Sequence, residues 1–198
     1  MIYERLKKIS EMIVNTTCTT SDDILELEEA FSLFKEKLLK AQNTNGITYV
    51  IGNGGSAGIA SHFCNDLLKT LKIPSSTLVD ASVLTCLAND YGYEKCYSEA
   101  LKVISKSDDV LVAISSSGNS LNIVNAVRVA KEKGSFVITF SGFDSANPLR
   151  QIGDLNFWLD KKDYGLVEMG HMFLLHSIVD LFEKINIKKS DLVTSKNA

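Results

Sequence analysis

The sequence predicts an α/β fold: a three-layer αβα sandwich around a doubly wound, mainly parallel five-stranded sheet, with extra helices at the N-terminus. Three observations predict it. From residue 46 onward, short apolar runs alternate with longer segments of helical periodicity, the pattern of βαβ units joined by right-handed crossovers. The runs at 47–52, 109–115 and 135–142 are apolar almost throughout, as expected of parallel strands covered on both faces. Two of those runs end in turns rich in glycine or serine that lead straight into a helix, and open α/β sheets bind their ligands at such strand ends.

In chain order, residues 1–15 and 23–42 read as helices outside the alternation. In "SDDILELEEAFSLFKEKLLKAQ" the acidic residues suit a helix start, and Ile24, Leu27, Phe31, Phe34 and Leu38 recur every three to four residues or so. "TTCTTS" reads as the break between the two helices, and Asn45-Gly46 ends the second. "ITYVIG" (47–52) is the first strand, 55–71 a helix and "STLVD" (76–80) the second strand. "ASVLTCLANDYG" is a short helix running into a loop, followed by the helix "KCYSEALKVIS". "DVLVAIS" (109–115) is the third strand and "SLNIVNAVRVAKEKG" its helix. "SFVITFSG" (135–142) is the fourth strand, "NPLRQIG" a helical turn and "LNFWLD" (155–160) the fifth strand. A last helix runs from about Leu166 to Ile185. With two prolines and no low-complexity linker, the 198 residues read as a single domain: N-terminal helices over 1–45, an α/β core over 46–187 and a tail over 188–198.

Composition narrows the class. Apolar residues make up 45% and charged residues 23%, with a formal net charge of −3, and no basic tract offers a nucleic-acid surface. The N-terminus lacks the apolar stretch of a secretory signal, and no uninterrupted run reaches the ~20 apolar residues of a membrane span. A cytoplasmic protein with no membrane association is expected. Cys18, Cys64, Cys86 and Cys96 are widely spaced with no CxxC pair, so they read as small buried hydrophobes in a reducing compartment.

The two unusual strand ends are Gly52-Asn53-Gly54-Gly55-Ser56 and Ser115-Ser116-Ser117-Gly118-Asn119-Ser120. Glycines let a ligand approach the backbone closely, and a helix start offers free N–H groups and partial positive charge. Hydroxyls and amides facing one point make a phosphate cage that needs no lysine. The structural alternative is that these residues are only N-caps and turns. A rival functional reading takes Gly52, Gly54 and Ala57 as G-x-G-x-x-[GA], with Asp80 as a ribose-binding acid; the serine-rich strand end lies outside that fingerprint and weighs against it. His62 and Asp66 stand at i, i+4 on one helix face, a spacing that suits a shared pocket or two ligands of one metal. His171 shares a helix face with Leu175 and could be packing only. Tyr91, Tyr93 and Trp158 read as packing.

Together, "GNGGSAGIASHF" (52–63), "LANDYGY" (87–93), "VAISSSGNSLNIVNAVRVAKEKG" (112–134) and "VEMGHMFLLHSIVDLFE" (167–183) resemble the sugar-isomerase (SIS) domain family. Within it the likeness is to the phosphoheptose isomerase group, which interconverts sedoheptulose 7-phosphate and a heptose 7-phosphate. The resemblance implies N-terminal helices packed in a homotetramer, with active sites made at subunit contacts. It implies a phosphate cradle at Ser115, Ser116, Ser117 and Ser120, and sugar contacts from Asn53, Ser56 and Asp90 around the Gly54-Gly55 turn. His62 and His176 stand where the family places active-site histidines, which in some members hold zinc with a carboxylate and a glutamine.

Four positions depart from the family pattern. Asp66 replaces a glutamate, Glu168 a glutamine, Thr70 an arginine and Gly165 an aspartate. The last two belong to the substrate pocket, so a different sugar phosphate in a lipopolysaccharide or capsule pathway is consistent with the chain. An aldose–ketose isomerase moves a proton between adjacent carbons through an enediol and needs a base near the carbon and an acid or metal near the oxygens. Asp66 or Glu168 is the candidate base and His176 the candidate proton shuttle. His62, Asp66, Glu168 and His176 together offer two nitrogens and two oxygens, a set zinc accepts. Asp66 is one methylene shorter than glutamate, and a misplacement of about 1 Å can cost on the order of a hundredfold in rate. The alternative is a non-catalytic member of the family that binds a sugar phosphate or a protein partner as a regulator.

Overall fold

The computed structural model describes residues 1–194, with side chains through Phe182. Helix α1 (Ile2–Val14) leads into two short strands, β1 (Thr17–Thr19) and β2 (Ile24–Leu25), and then α2 (Leu27–Asn43). The alternation follows: β3 (Thr48–Ile51), α3 (Gly55–Asp66), β4 (Ser75–Thr77), α4 (Ala81–Tyr91), α5 (Cys96–Ile104), β5 (Val110–Ser115), α6 (Leu121–Glu132), β6 (Phe136–Gly142), α7 (Pro148–Ile152), β7 (Leu155–Leu159) and α8 (Tyr164–Thr194). The seven strands form one sheet in the order β2-β1-β7-β6-β5-β3-β4. The five core strands are parallel throughout, while β1 runs antiparallel to both β7 and β2.

The core strands are apolar on both faces because each face is covered. Along β5, Val110, Val112 and Ile114 point into one hydrophobic cluster and Leu111 and Ala113 into the other, the two-residue alternation of a pleated strand. The first cluster lies under α1, α2, α3 and α8, where Phe140 and Phe157 stack with ring centroids 4.7 Å apart. The second lies under α5, α6 and α7. Each fully buried large side chain stabilises the fold by ~1.5–3 kcal/mol relative to exposure. The last helix presents a buried stripe of Val167, His171, Leu174, Leu175, Ile178 and Phe182 to the first cluster. Its segment Tyr164–Phe182 is long and apolar enough to cross a bilayer, but half of that segment is buried inside the protein. It is a core helix, packed on α1 and α3.

Where the structure departs from the sequence reading, local chemistry gives the reason. The sheet has seven strands rather than five because residues expected as a break and a helix start form a hairpin. Cys18, fully buried, registers opposite Phe157, and Thr17 and Thr19 flank it; the pair covers the edge that β7 would otherwise leave open. Asp22 and Asp23 belong to the hairpin turn, where Thr20 Oγ1 accepts from both backbone N–H groups. The second helix starts at Leu27 behind a capping box of Glu26 and Glu29, and Ile24 is 81% exposed. The second strand is Ser75–Thr77 because Asp80 turns the chain into α4: its Oδ1 accepts from the N–H groups of Ser82 and Val83. After Asp66, α3 widens into a π-helical turn over Leu67–Leu71. The last helix runs past Ile185 to Thr194, with no glycine or proline to stop it; the expected tail over 188–198 therefore falls partly inside it and, from residue 195, outside the described residues.

Candidate active site

The sheet register brings the two unusual strand ends side by side. Ile51 lies opposite Ala113 on the adjacent parallel strand, so the glycine turn and the serine loop emerge from neighbouring tips. Both line one cleft of about 280 Å³, with Asn53, Gly54, Gly55, Ser56, Ile114, Ser115, Ser116, Ser117 and Ser120 joined by Tyr164 and Glu168 of α8. Another cleft, of about 380 Å³, sits at the opposite, amino end of the strands between Lys37, Lys40, Asp108 and Lys131. There Lys131 pairs with Asp154 at 2.7 Å and Lys37 with Glu36 at 2.9 Å, and α/β sheets bind at their carboxyl ends.

The glycine turn is built for close approach. Gly54 has φ +52 and ψ −120, a region open to glycine and costly to any other residue. It starts α3 with no side chain capping the helix, so the N-terminal end of the helix faces the cleft uncapped. Tyr97 donates its hydroxyl to the Gly52 carbonyl at 2.8 Å and ties the turn down from the other layer; burial pushes that phenol above its ordinary range. Asn53 is clamped: its amide exchanges two 2.9 Å hydrogen bonds with the amide of buried Asn122, and Tyr93 donates to its Oδ1 at 2.9 Å.

The serine loop is shaped by Gly118, at φ +67, against Asn147. Asn147 caps α7 and donates to Ser141 Oγ and the carbonyls of Gly142 and Asp144. Ser120 occupies the N-cap position of α6 but makes no capping bond; its hydroxyl lies 3.2 Å from that of Ser115. The simple N-cap alternative therefore does not account for it. The Ser116 hydroxyl is buried without a hydrogen-bond partner.

A second cluster lies further along the same two helices. His62 Nε2 is 2.9 Å from His176 Nε2, and Asp66 Oδ2 lies 3.3 Å from the first and 3.9 Å from the second. Asp66 Oδ2 is buried and accepts no hydrogen bond. Two imidazole nitrogens and an unsatisfied carboxylate oxygen, all within 4.8 Å of one another, fit a cation. Two nitrogens bound tetrahedrally at Zn–N distances of ~2.0–2.1 Å stand about 3.3 Å apart, so a slight opening of the ring pair suffices. His62 and His176 keep nearly half of their side-chain surface exposed, leaving the cluster accessible.

Other expected residues fall elsewhere. Glu168 lies outside the histidine cluster: eight residues before His176 on α8, it is displaced by roughly 12 Å of helix rise and sits instead over the start of α3, where a Cβ on Gly55 would meet its carboxylate at 2.5 Å. Among the described residues, the side chains close enough to share one ion are His62, Asp66 and His176. Asp90 is exposed on α4, engaged with Asn89 and Cys86, and does not line the cleft. Asp80 spends its carboxylate on capping α4, which removes the acid the dinucleotide reading needs. His171 is a packing residue, fully buried, edge-on to Phe140 and bonded to the Ser141 carbonyl. Thr70 lies in the π-helical turn, and Gly165 borders the exposed ion pair of Arg5 with Asp163 at 3.2 Å. Arg5's hydrogen bond holds the Asp163 carboxyl below its ordinary range. Cys18, Cys64 and Cys96 are buried thiols raised by burial, Cys18 to about 12; Cys86 departs from the expectation and is exposed. Sequence reasoning missed Asn122, Tyr164 and the polar role of Tyr93. The signal for Asn122 was an amide among apolar neighbours in "LNIVNAV", two residues beyond the serine loop.

Comparison with known proteins gives a concordant result. Residues 19–142 match the SIS domain family. The phosphoheptose isomerase of Geobacter sulfurreducens is 33% identical over 165 residues, 80% of this chain and 87% of the relative. That of Helicobacter hepaticus is 30% identical over 184 residues, 90% of this chain and 93% of the relative. The solved phosphoheptose isomerase of Neisseria gonorrhoeae superposes with a TM-score of 0.79 at 27% identity, covering 92% of this chain and 95% of that one.

Proposed function

The chain belongs to the SIS domain family, within its phosphoheptose isomerase group, and on that premise we propose that it is an aldose–ketose isomerase. Its substrate is sedoheptulose 7-phosphate, converted to D-glycero-D-manno-heptose 7-phosphate, or a related sugar phosphate, through an enediol. The observation that carries this reading is the single cleft lined by both the uncapped start of α3 and the serine loop. A phosphate seated there takes hydrogen bonds from Ser115, Ser116, Ser117 and Ser120, without a bulky cation to crowd the sugar. Asn53, held rigid by Asn122 and Tyr93, orients the sugar hydroxyls, with Ser56 and the Gly54-Gly55 backbone beside it. Positioning of this kind supplies much of the rate of a reaction that only shifts a proton.

His176 and His62 supply the acid–base pair at the oxygens. With nitrogens 2.9 Å apart, the gap between them holds one N–H, so one ring donates while the other accepts. Asp66 orients them. His62, Asp66 and His176 would also hold zinc, which when bound acts as a Lewis acid on carbonyl and hydroxyl oxygens. We assign the protein to the cytoplasm, as a homotetramer with sites at subunit contacts, where Asp90 would reach the sugar from a position outside this chain's own cleft. Its product would feed lipopolysaccharide or capsule synthesis.

The test is a panel of six- and seven-carbon ketose phosphates followed by NMR. Turnover of at least one is expected, with His176→Ala losing ~10²–10⁴-fold in kcat while still binding inorganic phosphate. Tight binding of the sugars with no turnover by the unaltered protein would instead identify a regulator.

A further inference from the structure

Helices α3 and α8 lie side by side and run in step: Gly55 faces Glu168 at one end, and His62 faces His176 seven and eight residues further on. The groove between them therefore carries two carboxylates in different company. Asp66 Oδ2 is buried against both imidazoles, and Asp66 does not line the cleft. Glu168 is half-buried and lines the cleft with Asn53, Ser115 and Ser117. It makes no hydrogen bond or ion pair among the described residues. Room is made for it by Gly55. That glycine has ordinary helical backbone and needs no special φ, yet a Cβ there would fall 2.5–2.6 Å from the three atoms of the Glu168 carboxylate. The uncapped N-terminus of α3 lies beside it.

We propose that Glu168 is the general base that carries the proton between the two reacting carbons, and that Asp66 is committed to the histidine pair. This rests on the isomerase reading above. With the phosphate in the serine loop, a Glu168 oxygen takes the proton from C1 of the ketose. The C–H electron pair becomes the C1=C2 bond, and the C2=O π pair moves onto O2, which is protonated from His176 through a bridging water. The enediol then returns its O1 proton to the same imidazole through the water. C1=O forms as the C1=C2 pair takes the proton back from Glu168 at C2. No electrons are gained or lost overall, and each residue ends as it began.

The experiment compares wild type with Glu168→Gln, Glu168→Asp and Gly55→Ala, reading kcat, KM and the wash-in of deuterium from D2O at the exchanging carbon. Glu168→Gln is isosteric and leaves the histidine cluster intact. It is expected to lose ~10²–10⁴-fold in kcat and the same factor in deuterium wash-in, with KM within about threefold. Glu168→Asp retains part of both, and Gly55→Ala, which displaces the carboxylate without removing it, falls in kcat. A Glu168→Gln enzyme that keeps kcat and wash-in, or that loses affinity alone, overturns the proposal and leaves the isomerase reading standing. A wild type that neither converts nor exchanges any sugar phosphate overturns both.

Discussion

His171 shows how one buried group shapes the stability of this protein. Its ring is fully buried, edge-on to Phe140, and its Nε2 donates to the Ser141 carbonyl while Nδ1 has no partner. Burial lowers its pKa from 6.5 to about 4, against the smaller opposing effect of the Ser141 bond. The unfolded chain therefore binds a proton that the folded chain refuses between those values. Stability is at its full value above pH 6.5, falls as pH drops toward 4, and gains no further slope from this group below that. Each tenfold change in proton affinity is worth ~1.4 kcal/mol, so the window corresponds to about 3 kcal/mol. Urea midpoints at pH 5 and pH 7 check it: wild type is expected to lose more on acidification than His171→Gln. A histidine in "VEMGHMFLLHSIVD" is legible as a possible site residue, but whether its ring meets Phe140 or a ligand depends on which way the helix is rotated. At the same scale, Asp66 and Glu168 differ by one methylene and by chain position, and only packing shows which one faces the serine loop.

At the scale of the element, the start of α3 depends on two glycines with different tasks, Gly54 for the turn and Gly55 for the approach of Glu168. Gly54 holds φ +52, and a Cβ added there would have nothing within 4 Å, so Gly54→Ala meets no clash and costs backbone strain alone, about 1–3 kcal/mol. Gly58 also has open space but lies in ordinary helix, so Gly58→Ala is expected to stabilise by ~0.5–1 kcal/mol. Thermal melts of the two variants should move in opposite directions, and loss of phosphate binding should accompany Gly54→Ala. The helix and both loops were legible because glycine and serine clusters at strand ends have few structural uses. The hairpin over Thr17–Leu25 was not. A three-residue strand carries too little periodicity to separate from a linker, and its β-sheet identity comes from Phe157 and Trp158, about 140 residues away.

For the whole molecule, the proposed homotetramer would bury apolar side chains that are exposed on the single chain. Met169 and Phe173 are 58% and 54% exposed on the α8 face that also carries His176, and Ile2, Tyr3 and Leu6 are exposed on α1. Light scattering after gel filtration should give a mass near four times 21.8 kDa. Truncating a buried aromatic anchor typically costs ~2 kcal/mol or more of interface energy, so Phe173→Asp should lower both the mass and the turnover. An assembly unchanged by Phe173→Asp would place the subunit contacts elsewhere.

By itself, the sequence determined the layered α/β architecture, the two ligand loops and the family, because hydrophobic periodicity and turn chemistry are local properties of the chain. Tertiary structure alone decided the site's division of labour. Asn122 clamps Asn53 across two strands, and Glu168 is parted from His176 and brought to Gly55. The first depends on the order of strands in the sheet and the second on the register of α3 against α8, which are set by burial summed over residues far apart in the chain and by no single motif.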